Sequence, residues 1–253
     1  MLPPDIDWHV HSTSSVDSTM TMIEACAVAK QRGLSGLCFT EHIDLDPRDL
    51  GYNFFTWDRY VKTIDAARRV HPGFEIKTGF ELNWQRAFTP ALLEFLEGKN
   101  VDLVLGSVHW LETGHICEPS TFKPLIFADF IDEWIEEALD LLRRDVCQGF
   151  AHFDYFYWHG HAFYPELKRE DIFDHVEPVV DALIKHDVSL EVNTSALRKG
   201  LAEPFPSWDF IERYVKAGGR KVHLGSDSHA PGHVGHEFAA TRRKLEVLLN
   251  RYG

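Results

Sequence analysis

Histidine, aspartate and glutamate recur in this chain at spacings suited to holding divalent cations. His9 and His11 are two positions apart, as are Asp227 and His229, and Glu41-His42, Glu81, His109 and His152 fall between them. Residues i and i+2 on a strand share a face, so either pair can chelate one ion. The small neighbours in Gly225-Ser-Asp-Ser-His229 leave room for close approach. Imidazole suits zinc, iron and manganese, while carboxylates add charge and bridge ions. No cysteine stands at these positions, which favours a hydrolytic site over a structural zinc site. Each element alone is weak, since a lone His-x-His is more often two ordinary histidines than a ligand pair. The joint pattern carries the inference.

Something must bring these residues together. Short β-like runs are expected at Ile6–His11, Gly36–Thr40, Glu75–Phe80, Leu103–His109, Val146–His152, Ser189–Asn193 and Lys221–Ser226. Helical stretches alternate with them: Thr21–Arg32, Thr56–Val70, Thr89–Glu97, Phe127–Arg144, Asp171–Asp187, Ser207–Ala217 and Glu237–Asn250. Gly33 and Gly218-Gly219 read as C-terminal caps, and Ser207 and Thr89 as N-caps. Strands each followed by a helix predict a parallel barrel or a doubly wound sheet. Functional groups of a barrel gather at the strand ends, where every strand but the sixth, which ends in Asn193, offers a metal-competent residue. Ile43–Phe55, Leu111–Leu125 and Asp154–Arg169 read as irregular loops at a site mouth.

The 253 residues suit one domain, with 44% hydrophobic and 26% charged residues, an ordinary globular composition. No apolar run reaches the length of a membrane span, and Met1–Asp7 lacks the basic and apolar regions of a secretory signal. Four scattered cysteines, with no CxxC pair, read as buried reduced thiols, so a cytoplasmic location is expected. The net charge of −13 argues against binding a nucleic-acid polymer, which needs Lys and Arg along its phosphates. It does not exclude a small anion, because bound cations reverse the local sign.

Asp7-Trp-His-Val-His11, Phe39-Thr-Glu-His42, Gly79-Phe-Glu81, Gly106-Ser-Val-His109, Ala151-His152 and Gly225-Ser-Asp-Ser-His229, in this order, resemble the PHP (polymerase and histidinol phosphatase) family. The resemblance spans nearly the whole chain. It implies an α/β fold, a distorted (β/α)7 TIM-like barrel forming a single domain over residues 1–253, with three divalent metal ions, zinc, iron or manganese. His9, His11, Glu81 and Asp227 would hold one ion. Glu81 would bridge to a second, completed by His109 and His152, and Asp17, His42 and His229 would hold the third. Asp17 stands where histidinol phosphatases often carry His, and Asp is still a competent ligand.

Within the family, Glu191-Val-Asn-Thr-Ser-Ala-Leu-Arg198-Lys-Gly200 resembles the segment of stand-alone histidinol-phosphate phosphatases. The resemblance implies that Arg198 grips the substrate phosphate by bidentate hydrogen bonds. One departure stands out. That branch commonly places a basic residue after His152-Phe-Asp154, where this chain reads Tyr155-Phe-Tyr-Trp158-His-Gly-His161. These aromatics are expected to pack the loop, with His159 and His161 as loop residues and not ligands. His115, His233 and His236 are expected at the surface.

The implied activity is metal-dependent hydrolysis of a small phosphorylated metabolite, L-histidinol phosphate, to histidinol and phosphate in histidine biosynthesis. Three divalent ions against the carboxylates of Asp17, Glu81 and Asp227 would leave the site positive and attract a phosphate dianion. Asp227 and His229 are the candidates for proton transfer. Two other classes compete: a phosphoesterase acting on another small ester or a nucleotide phosphodiester, and a non-catalytic metal-binding module. The full ligand set argues against the last.

Overall fold

The computed structural model describes residues 5–165 and 167–252, so Met1–Pro4, read above for a secretory signal, lie outside the described residues. Strands β1 (Ile6–Val10), β2 (Gly36–Ile43), β3 (Glu75–Asn83), β4 (Leu103–Ser107), β5 (Gly149–Phe150), β6 (Ser189–Asn193) and β7 (Val222–Gly225) form one parallel sheet in sequence order. A parallel bridge between Val10 and Ser228 closes it, with His11 N donating to Ser228 O at 2.9 Å and Ser228 N to His9 O at 3.3 Å. The expected barrel is therefore the observed architecture.

Helices α1 (Met22–Gln31), α2 (Trp57–Val70), α3 (Thr89–Leu96), α4 (Phe127–Arg143), α5 (Arg169–Lys185), α6 (Trp208–Lys216) and α7 (Phe238–Tyr252) follow the seven strands in turn. A capping box starts α1, with Thr21 Oγ1 accepting from Glu24 N and Glu24 Oε2 accepting from Thr21 N. Ser207 caps α6 as expected, accepting from Phe210 N. Thr89 does not cap α3: it is the first helical residue, and among the described residues its hydroxyl has no hydrogen-bond partner. The preceding turn Arg86–Phe88 is already helical, which moves the cap position to Phe88.

Two of the regions expected to be irregular carry structure. Trp110–Leu111 and Gly114–His115 pair as a short antiparallel hairpin, followed by a helical turn at Pro119–Phe122. Tyr155–Gly160 is helical, continued by a 3-10 turn at His161–Phe163. Burial explains the second case. Phe156 is 1% exposed and packs on Trp134 with ring centroids 4.5 Å apart, which anchors a segment too short to show periodicity. Among the described residues no helix is long and apolar enough to cross a membrane.

Trp134 organises the core behind the site, meeting Phe150 of β5 and Phe153 as well as Phe156. On the same side, Gly106 of β4 admits α4 closely, since a Cβ there would lie 2.4 Å from Leu141 Cδ2. Trp134→Ala should lower the unfolding free energy by about 3–5 kcal/mol, the usual loss for a buried aromatic. Urea denaturation of metal-free protein measures it, and a loss below about 1 kcal/mol would show that this packing is not what holds α4 to the sheet.

Candidate metal centre

The strand ends converge as their spacing predicted. His9 and His11 follow one face of β1 and its end, Glu41 and His42 end β2, and Glu81 nears the end of β3. The fourth and fifth strands stop earlier than expected, at Ser107 and Phe150, so His109 and His152 stand on the turns beyond them. His152 has φ 25° and Asp227, just past β7, has φ 53°. Both are left-handed conformations that cost free energy in a residue with a Cβ.

Glu81 lies at the centre and is 1% exposed. Its Oε2 is 3.3 Å from His9 Nε2, 3.4 Å from His11 Nε2 and 3.0 Å from His42 Nδ1. Its Oε1 is 2.8 Å from His152 Nε2 and 3.4 Å from His109 Nε2. Asp227 Oδ1 closes the first group, 3.7 Å from His9 Nε2 and 3.5 Å from His11 Nε2. At the rim, Asp17 Oδ2 is 3.4 Å from His42 Nε2 and 2.9 Å from His229 Nε2.

These separations fit cations. Four donors around zinc at its usual 2.0–2.1 Å stand about 3.3 Å apart; His9 and His11 lie 3.0 Å from each other and 3.3 to 3.7 Å from Glu81 and Asp227. Three groups have ligand atoms mutually close enough to hold an ion: His9-His11-Asp227, His42-Glu81-His109 and His11-His42-His229. All donors are nitrogen or oxygen, a set suited to zinc, iron or manganese.

Three buried carboxylates outside the expected ligand set hold the ligands from behind; of these, Glu41 was among the metal-competent strand-end residues, while Asp7 and Glu191 were not. Glu191, 0% exposed, accepts from His9 Nδ1 and from His152 N, both at 2.7 Å. Glu41 accepts from Ser12 N, Ser12 Oγ and Ser15 Oγ; Ser15 Oγ also lies 3.2 Å from His11 Nδ1 and accepts from His42 N. Asp7 accepts from Ser226 N and Gly235 N, tying down the loop that carries Asp227. Burial pushes its carboxyl up to about 6, against these bonds. The available signal was a charged residue inside an otherwise apolar strand, as in Ser189-Leu-Glu-Val-Asn193.

Seven of the nine expected ligands line a cavity of about 460 Å³; His9 and His11 lie beneath its floor. Trp110, His115, Cys117 and Tyr155 also line it. His115 is thus not a surface residue but a partly buried wall residue, because the hairpin folds it over His109 with ring centroids 5.8 Å apart. His233 and His236 are also partly buried. His159 touches Cys117 Sγ and the Tyr155 ring, and His161 is exposed. At the mouth, Arg48 is bidentate to Asp46, stacks on Trp110 at 4.5 Å and donates to the Glu112 carbonyl. Arg198 donates to the carbonyls of Ser226 and Asp227 at 2.8 and 3.0 Å, bracing the Asp227 turn. Cys26, Cys38 and Cys147 are buried free thiols, as expected, while Cys117 is partly exposed.

Fold and site together define a seven-stranded α/β barrel with a histidine- and carboxylate-rich cluster of metal-ligand spacing at its strand ends. The chain belongs to the PHP domain family, whose model matches residues 7–195. A probable histidinol-phosphatase of Clostridium acetobutylicum is 30% identical over 244 residues, covering 95% of this chain and 92% of the relative. One of Deinococcus radiodurans is 29% identical, covering 97% and 94%. In fold, the chain is similar to the Lactococcus lactis histidinol phosphate phosphatase, solved with zinc, L-histidinol and phosphate. That match has a TM-score of 0.77 and 23% identity, and covers 98% of this chain and 94% of the other.

Charge pairing sets the protonation of the metal-free cluster. Burial lowers the pKa of His9, His42 and His229, but neighbouring carboxylates outweigh it: Glu191 and Glu81 for His9, Glu81 and Asp17 for His42, Asp17 and Asp227 for His229. All three end above their ordinary value. His11 is pulled down to about 3 by burial and by His42 and His229. A cation must displace protons from the raised imidazoles, so zinc binding at pH 7 should release protons and tighten as pH rises. Calorimetric zinc titrations in buffers of differing ionisation enthalpy read this directly. A binding heat independent of buffer would contradict it.

Proposed function

We propose that this chain is a metal-dependent phosphomonoesterase that hydrolyses L-histidinol phosphate to histidinol and phosphate, in the cytoplasm, as a step of histidine biosynthesis. The division of the Glu81 carboxylate between two sets of imidazoles, at the floor of an open cavity, carries the reading. One buried carboxylate with both oxygens so placed is suited to bridging two ions. Relatives named as histidinol-phosphatases over nearly the whole length of both chains support the substrate.

Three divalent ions, zinc, iron or manganese, are the proposed cofactors. His9, His11, Glu81 and Asp227 would hold the first, Glu81, His109 and His152 the second, and Asp17, His42 and His229 the third. Bound ions of this kind acidify water and neutralise charge on a phosphoryl group. The chain's own residues orient and exclude. Arg198 puts a fixed positive charge beside Asp227, and the guanidinium donors not engaged with Ser226 and Asp227 are the ones proposed to reach a phosphate oxygen.

Asp227 and His229 are the proposed proton carriers. Burial would raise the Asp227 carboxyl, but His9 and His11 hold it well below the usual range. It therefore stays ionised and accepts a hydrogen bond from attacking water, while His229, raised by Asp17 and Asp227, is the better holder of the proton. The net charge of −13 agrees with a small metabolite as partner and disfavours a nucleic-acid polymer.

Phosphate release by metal-replete protein from L-histidinol phosphate, other phosphomonoesters and a phosphodiester tests the assignment. A clear preference for histidinol phosphate is expected. Stronger turnover of another ester would discard the pathway and keep the hydrolase. Replacing His109 or His152 with Asn should remove about one equivalent of metal and lower turnover at least ~100-fold, since loss of a supporting partner alone costs 10–100-fold. Full metal content with full activity would refute the ligand assignment.

A further inference from the structure

We infer that Glu191 is a positioning residue for the metal centre, fixing the tautomer of His9 and the strained backbone of His152 with the two oxygens of one carboxylate. The inference rests on the metal-binding part of the proposed function and is independent of the substrate. Glu191 lies on β6, the one strand that offers no expected ligand, and is 0% exposed. Its Oε1 is 2.7 Å from His9 Nδ1, and its Oε2 accepts from His152 N at 2.7 Å and Asn193 Nδ2 at 3.0 Å.

A carboxylate only accepts, so the proton of a neutral His9 sits on Nδ1 and the Nε2 lone pair points at Glu81 and Asp227. The opposite tautomer would direct an N–H at those oxygens and close the position to a cation. His152 gains from the second oxygen: its φ of 25° is held by the bond from its amide. One side chain thus links a ligand of the first proposed ion to a ligand of the second.

Gly225 on β7 supplies the space for this arrangement. A Cβ there would lie 1.9 Å from Glu191 Oε1 and 2.6 Å from His9 Cβ. The lack of a side chain at residue 225 is therefore explained by the Glu191–His9 pair and not by a turn. Glutamine at 191 has the same shape but one acceptor and one donor. If its oxygen faces His9, its amide meets the donors of His152 and Asn193. If it flips, it donates to His9 Nδ1 and enforces the wrong tautomer.

Zinc titration against a chromophoric chelator, with no substrate present, tests the inference. Glu191→Gln should weaken the sites containing His9 and His152 by about 10–100-fold, and leave the Asp17-His42-His229 site near its wild-type affinity. Gly225→Ala, which keeps the carboxylate and pushes on it, should show the same pattern. In zinc-loaded wild-type protein, long-range proton–nitrogen NMR should place the His9 proton on Nδ1, a readout that needs no variant to fold. A proton on Nε2, or unchanged zinc affinity in the substituted proteins, would overturn the inference. Equal weakening at every site would reduce Glu191 to a structural role. Failure of histidinol phosphate turnover would leave these results untouched.

Discussion

One carboxylate, Glu81, sets the terms for the rest of the structure. A buried carboxylate is costly to ionise, and here five imidazoles surround it within 3.4 Å. Burial acts to raise its pKa, yet His9, His42 and His109 drive it well below the ordinary carboxylate range. Those imidazoles come from β1, β2 and the turns after β4 and β5, so the charge of Glu81 is compensated only when the strands keep parallel register. A barrel satisfies that requirement, since neighbouring strand ends face a common axis. Electrostatics at the floor and topology of the sheet are one constraint.

Ordering so many side chains of like type has a cost that the surrounding polar groups offset. Asp7, Glu41 and Glu191 are buried and accept hydrogen bonds from backbone amides or serines beside the ligands. The left-handed backbone at His152 and Asp227 persists because Glu191 bonds the first amide and Arg198 braces the second turn. Closure of the barrel takes part as well. The bonds between His11 and Ser228 and between Ser228 and His9 join the first ligand pair to the last.

Much of this is legible in the sequence. Short apolar runs alternate with helical stretches along the chain, and the metal-competent residues stand where parallel strands must end. β6 matches its expected bounds, Ser189–Asn193, while β4 and β5 are shorter, because residues past Ser107 and Phe150 turn to aim His109 and His152 inward. Less was legible where tertiary burial decides. The helical turn at Tyr155–Gly160 exists because Phe156 finds Trp134, a contact between distant residues that no local pattern encodes. His115 looked like a surface histidine because the hairpin that folds it over His109 is only a few residues long. Glu191 could be read as an odd charge in an apolar strand, but its partner His9 is 182 positions away.

Arg48 joins the loop after β2 to the hairpin after β4 by holding Asp46, lying on Trp110 and reaching the Glu112 carbonyl. Asp49 reinforces the same junction by accepting from Trp110 Nε1 at 2.6 Å. Both segments line the cavity, so the clasp joins them into one edge. Joined in this way, the two segments cannot be displaced one at a time: a shift of the loop after β2 must carry the hairpin with it.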